Sequence, residues 1–226
     1  MQFKWLKQCE KNHSVIVIFS GWGFTAEVYK HLQEVDDNYD VIFVNDYRNL
    51  HISLPDLQHY QQRYLLAWSF GVASYSAWQQ LQKGQNEIPS FDRMIAINGT
   101  MQAVDRFHGI PEVVMQKTIN TLSPESFKVF AKRCFVSSHI PDDLRINVPE
   151  RAQELQCILQ RQHPEILNWD QVWIAKQDKI FPTKNLERAW HAYNQSAAKP
   201  VIIHFCDAPH APFHLWSSWD DIINPD

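Results

Sequence analysis

The chain has 226 residues, 45% of them hydrophobic and 20% charged, with a formal net charge of −4. That length suits one sizeable domain, or a domain with one insertion. The slight acidity excludes the global basic field of a nucleic-acid binder. Cys9, Cys134, Cys157 and Cys206 are scattered, with no CxxC pair, which argues against a zinc site and a disulfide scaffold and for a reducing compartment.

The first residues, Met-Gln-Phe-Lys-Trp-Leu-Lys-Gln, hold too short an apolar run for a signal peptide. No segment approaches the roughly 20 apolar residues of a membrane span. A cytoplasmic protein with no membrane partner is expected. Residues 15–19, Val-Ile-Val-Ile-Phe, read as a buried strand closed by Ser20-Gly21. Residues 25–34 carry a helical pattern with Val28, Tyr29 and Leu32 on one face. A second strand spans 39–44, a short helix is expected over 55–62, and a third strand covers 64–68. A helix follows over about 71–83, stopped by Gly84. Residues 94–97 form a fourth strand ending at Asn98-Gly99; residues 172–175 and 201–205 are two more, with a helix over about 182–193 between them.

Strands alternating with helices predict βαβ units and a mainly parallel sheet with helices on both faces. The rhythm breaks between about Thr100 and Asn168, where helical patterning appears around 111–120, 123–135 and 149–160. The expected organisation is an α/β core of residues 1–100 and 169–226, interrupted by a helical cap over 101–168.

Chemistry concentrates at the ends of the strands. In Ala67-Trp68-Ser69-Phe70-Gly71 a serine stands between an apolar strand and a helical pattern. Small residues two before and two after let the backbone pass close to such a strained elbow. Ala67 takes the place of the usual first glycine. The loop Ser20-Gly21-Trp22-Gly23-Phe24 follows the first buried strand and lacks the Gly-Lys-Ser/Thr ending of a phosphate loop. In an α/β-hydrolase fold that loop supplies one backbone N–H of an oxyanion hole, assigned here to Trp22, and the residue after the nucleophile, Phe70, supplies the other.

Asp178 follows the strand that ends at Ala175 and can hold an imidazole. Asp207 is its rival, and Asp170 precedes the strand and belongs at the opposite edge of the sheet. Among eleven histidines, His210 lies in the loop after the last strand, whereas His204 lies within that strand and His214 in a following short helix. The chain order Ser69, Asp178, His210 is that of an α/β-hydrolase triad.

These motifs resemble the pimeloyl-acyl carrier protein methyl ester esterases of biotin synthesis. The resemblance rests on residues 21–29 (Gly-Trp-Gly-Phe-Thr-Ala-Glu-Val-Tyr), Trp68-Ser69-Phe70-Gly71, Asp178-Lys179-Ile180-Phe181-Pro182 and His210-Ala211-Pro212-Phe213. Small size and the Trp-Ser-Phe-Gly elbow are most similar to the BioG type; the BioH type shares the Gly-Trp-Gly and His-Ala-Pro-Phe signatures. The likeness covers about 15–100 and 170–216 and leaves the insertion unmatched.

The resemblance implies hydrolysis of a carrier-bound methyl ester with no metal or organic cofactor. Ser69 would be the nucleophile, His210 the base and Asp178 its orienting acid. It also implies an acidic acyl carrier protein as partner, so the mouth of the site should present cations. Lys128, Lys132 and Arg133 share adjoining parts of one predicted helix face, and Arg145, Arg151 and Arg161 are further candidates. Phe107, Phe127, Phe130 and Phe135 either line an acyl channel or pack the insertion. A general short-chain carboxylesterase, an acyl thioesterase and a non-catalytic binding protein on the same fold remain open on these residues.

Overall fold

The computed structural model describes residues 1–35, 38–82, 89–161 and 167–225. Among these residues seven strands form one sheet: β1 (Gln2–Lys7), β2 (Ser14–Phe19), β3 (Tyr39–Asn45), β4 (Gln62–Trp68), β5 (Arg93–Ile97), β6 (Gln171–Ala175) and β7 (Ile202–Cys206). Their order is β1-β3-β2-β4-β5-β6-β7. Among the described residues, only the β1–β3 pairing is antiparallel. Residues 15–19 of β2 are all fully buried. Successive side chains of a strand face opposite ways, so both faces of the central sheet are covered.

The helices are α1 (Lys30–Val35), α2 (Phe70–Gln82), α3 (Glu112–Asn120), α4 (Pro124–Cys134), α5 (Val148–Leu159), α6 (Thr183–Ser196) and α7 (Asp220–Ile223). A 3₁₀ turn, Ala26–Tyr29, leads into α1, so the helical pattern predicted over 25–34 divides in two. Val28, Tyr29 and Leu32 are buried, as their spacing requires. Helices α3 to α5 occupy the stretch between β5 and β6. Ser123 caps α4 through a reciprocal pair of bonds with Ser126, and Asn147 caps α5 through the Glu150 N–H.

Two features depart from the sequence pattern. Residues 55–61 form a loop rather than a helix. The amides of Gln61 and Gln62 both donate to the His13 carbonyl, and the Tyr60 hydroxyl donates to the buried carboxylate of Asp40. These long-range anchors override the local helical signal. Strand β1 was not anticipated, because it is a half-exposed edge strand in which Lys4 and Lys7 break the apolar pattern without a period of two. The expected helix stop at Gly84 lies outside the described residues.

The topology places the site. From β2 the chain crosses to β3 on one side, then returns to β4 on the other. The order therefore reverses between β2 and β4, and the turns that follow them flank a crevice at the carboxyl edge of the sheet. The loops after β5, β6 and β7 open at the same edge because those strands run parallel.

Candidate active site

Ser69 is the single residue between the end of β4 and the start of α2. Its backbone is in the left-handed region, φ 59°, which a non-glycine residue adopts only when its surroundings hold it there. The Ser69 N–H donates to the Ile97 carbonyl on the neighbouring strand at 2.9 Å. Ser69 is only 4% exposed.

The hydroxyl Oγ of Ser69 lies 2.9 Å from His210 Nε2, and His210 Nδ1 lies 2.7 Å from Asp178 Oδ2. A carboxylate only accepts, so Nδ1 carries the proton and Nε2 is free to accept from the serine hydroxyl. Both His210 and Asp178 side chains are buried. The second carboxylate oxygen of Asp178 accepts from the amides of Ile180 and Phe181, at 2.7 and 3.0 Å, which fixes the acid in the turn after β6. The imidazole stacks on Phe181, with ring centroids 5.9 Å apart and an interplanar angle of 6°, and packs against Trp68 on another side. A buried hydroxyl, imidazole and carboxylate in this sequence of bonds can deliver a serine nucleophile and accept its proton.

The main-chain amides of Trp22 and Phe70 flank this serine in the chain topology, one in the turn after β2 and one at the first residue of α2. Neither donates a hydrogen bond among the described residues. Gly23 completes the first turn at φ 82°, and a Cβ added there would stand 2.7 Å from Cε2 of Phe127. Glycine is therefore required both by the backbone angle and by the packing of α4 on the loop.

The rival residues lie elsewhere. Asp207 is exposed and accepts from the Gln177 amide. Asp170 accepts from the Met94 N–H at the opposite edge of the sheet. His204 stacks on Trp173 at 4.6 Å, and His214 sits in the 3₁₀ turn Pro212–Leu215 beside His139. Burial raises the thiol pKa of Cys134, and that of Cys206 to about 12, so both stay protonated and poorly nucleophilic.

The predicted binding residues divide. Lys128, Lys132 and Arg133 are exposed on α4. Arg145 is exposed but paired with Asp143 at 2.7 Å. Arg151 does not face outward as expected of a carrier contact: its guanidinium turns in to Glu154 at 2.6 Å, with only 15% of its side chain exposed. Arg161 is likewise used internally, donating to the Tyr47 carbonyl and the Ser74 hydroxyl. Phe127 is buried and Phe130 partly so; both rest edge-on against Trp22. Phe135 packs on Phe24, whereas Phe107 is half-exposed between the guanidiniums of Arg106 and Arg188. Sequence reasoning missed Asn98 and the Trp68 indole, both of which donate to the His210 carbonyl.

A family model described as pimeloyl-ACP methyl esterase BioG matches residues 1–221. A malonyl-[acyl-carrier protein] O-methyltransferase from Bacteroides fragilis (strain 638R) is 31% identical over 186 residues, 79% of this chain and 36% of that protein. The chain thus spans about a third of the length of that relative. The crystal structure of BioG from Haemophilus influenzae aligns with a TM-score of 0.80 at 24% identity, covering 99% of this chain and 100% of that one. An esterase from Exiguobacterium antarcticum aligns with a TM-score of 0.67 at 13% identity, covering 93% and 88%. These structural likenesses show the α/β-hydrolase fold. The family model spans nearly the whole chain, and the protein accordingly belongs to the pimeloyl-ACP methyl esterase BioG family of ester hydrolases.

Proposed function

We propose that the protein is a serine carboxylesterase that hydrolyses the methyl ester of pimeloyl-acyl carrier protein in biotin biosynthesis, without a cofactor. One observation carries this reading: the buried chain of bonds from Ser69 through His210 to Asp178, at 2.9 and 2.7 Å.

Ser69 Oγ attacks the ester carbonyl carbon while its proton passes to His210 Nε2. The carbonyl oxygen becomes an oxyanion and is held by the Trp22 and Phe70 N–H groups. Collapse of this intermediate breaks the bond to the methoxy oxygen, which takes the proton from His210 and leaves as methanol. Asp178 stabilises the imidazolium throughout. Water then attacks the pimeloyl-Ser69 ester with His210 again accepting a proton. The second collapse returns that proton to Ser69 and frees the distal carboxylate.

In this reading residues 1–100 and 169–226 form the hydrolase core, and residues 101–168 form a cap over the acyl chain. Phe127 and Phe130 contribute apolar surface beside Trp22, and exposed Lys128, Lys132 and Arg133 meet the acidic carrier. The partner class is supported by the family description and by the Bacteroides relative, whose name refers to a carrier-bound acyl group. That relative is named as a methyltransferase, but the present chain matches about a third of it and carries a hydrolase-type hydrogen-bonded site.

The test measures methanol release from methyl pimeloyl-acyl carrier protein against a panel of p-nitrophenyl esters and acyl thioesters, with growth of esterase-deficient cells without biotin as the physiological readout. Ser69→Ala should lower kcat by about 10⁴-fold or more. Much faster turnover of a simple ester or thioester would replace the carrier-specific reading with a general one. Absence of fluorophosphonate labelling at Ser69 would favour a binding protein.

A further inference from the structure

Asn98 follows the last residue of β5 with φ 44°, and it is fully buried. Its side-chain amide is used at both ends. Nδ2 donates to the His210 carbonyl at 2.8 Å, and Oδ1 accepts from the Ala175 N–H at 2.7 Å. The partners settle which end is which, because a carbonyl only accepts and a main-chain N–H only donates. Ala175 is the last residue of β6, and its carbonyl in turn accepts from the Asp178 N–H at 3.3 Å. One buried side chain therefore bridges the strand end that leads to Asp178 and the loop that carries His210.

The His210 carbonyl has a second donor, Trp68 Nε1 at 3.0 Å, from the residue immediately before Ser69. Both lone pairs of that carbonyl are thus engaged, one by the last residue of β4 and one by the residue that follows β5. The main-chain N–H of Asn98 donates to the Trp173 carbonyl at 3.0 Å, which ties the amide itself to β6.

We propose that Asn98 is a positioning residue for the proposed serine esterase: its amide sets the His210 main chain and the β6 end in register, so that the imidazole meets Ser69 and Asp178 at once. This inference rests on the serine-hydrolase reading above. Among the described residues the Asn98 amide makes no hydrogen bond to any of the three side chains; it acts through the main chain of His210 and of Ala175. Reacting groups displaced by about 1 Å lose on the order of 100-fold in rate, which bounds the effect.

The test is the rate of fluorophosphonate labelling of Ser69 as a function of pH in the wild type, Asn98→Gly and Asn98→Asp. Glycine accepts the positive φ and removes both bonds. Aspartate keeps the acceptor for Ala175 but sets a carboxylate oxygen against the His210 carbonyl; only its protonated form can donate there. Both variants should label about 10- to 100-fold more slowly near neutral pH, with circular dichroism unchanged. The Asn98→Asp rate relative to wild type should rise as pH falls, whereas the Asn98→Gly ratio stays flat. The downfield proton resonance of the His210–Asp178 bond should broaden or vanish in Asn98→Gly. Wild-type labelling rates and an unaltered pH profile in the variants would overturn the proposal while leaving the serine reading intact. If Asn98→Gly does not fold, a flat pH profile of the Asn98→Asp ratio overturns it alone. A wild-type protein that does not label at all removes both readings.

Discussion

The indole Nε1–H of Trp22 donates to the main-chain carbonyl of Arg151 at 3.0 Å, joining the turn after β2 to the first turn of α5. The same side chain packs edge-on against Phe127 and Phe130 of α4, at 5.7 and 5.2 Å between ring centroids. The backbone amide proposed for the oxyanion is therefore carried by a residue whose side chain is held by both helices. Trp22→Phe keeps an aromatic ring in this cluster but deletes the hydrogen bond and part of the buried indole surface. It should lower stability by about 2 kcal/mol, read from urea denaturation. It should also reduce kcat more than it raises KM, because the oxyanion forms only after binding.

Gly71 and Phe19 stand in a closer relation. A Cβ added at Gly71 would lie 2.0 Å from the Phe19 carbonyl oxygen and 2.9 Å from that of Ser20. Both atoms are main chain, so neither can swing aside. Gly71→Ala should destabilise by about 3 kcal/mol and abolish labelling of Ser69. Ala67 is fully buried on the other side of the elbow and already accommodates its methyl group. Ala67→Gly should cost only about 1 kcal/mol, chiefly through backbone entropy. Thermal melts of the two variants measure this asymmetry.

Glu154 is 1% exposed and sits between the Arg151 guanidinium at 2.6 Å and the Tyr47 N–H at 2.8 Å. Burial raises its pKa despite the opposing arginine and hydrogen bond. A carboxyl whose folded pKa lies above its unfolded value of about 4.3 contributes its full stability below that value. The contribution is lost as pH rises through the folded pKa. Glu154→Gln keeps an acceptor for Tyr47 and removes the titration. The difference in Tm between this variant and the wild type should therefore move in the variant's favour as pH is raised from about 4 towards neutrality. A constant difference across that range would show that Glu154 is not the titrating group.

These residues also mark what the amino-acid order discloses. Strand ends are read from short apolar runs closed by turn residues, and Ser69, Asp178 and His210 each lie just past such an end. The parallel sheet then brings them to one edge without further information. Asn98 follows an equally clear strand, but its proposed function as a bridge depends on a strand end and a loop more than 70 residues further along the chain, at Ala175 and His210. No local pattern encodes that pairing. Arg151 was misread as a surface cation, although Glu154 at i+3 offered a local signal of an internal pair. Strand β1 escaped because Phe3, Trp5 and Leu6 are interrupted by Lys4 and Lys7 with no strict alternation, in an edge segment that takes its partner from β3. The loop over 55–61 reads as helical until Tyr60 meets Asp40.

The exposed cations on α4 separate carrier recognition from chemistry. Lys128 and Lys132 are four residues apart, one helical turn, so they lie on one side of α4, and both are exposed. An acidic carrier approaching that side would be steered and held by them, whereas a small neutral ester would not. Lys128→Glu/Lys132→Glu should raise KM for the carrier-bound methyl ester about tenfold at low ionic strength, equivalent to about 1.4 kcal/mol. The loss should shrink in about 0.5 M salt, where exposed charges are screened within a few ångströms. Turnover of a p-nitrophenyl ester should stay at the wild-type rate, because neither lysine is a member of the Ser69–His210–Asp178 bond chain. Arg145→Glu should act more weakly, since Arg145 is already neutralised by Asp143. Steady-state kinetics on both substrates at two salt concentrations makes the comparison. A KM unchanged by the double reversal would move the carrier-docking face away from α4 while leaving the esterase chemistry untouched.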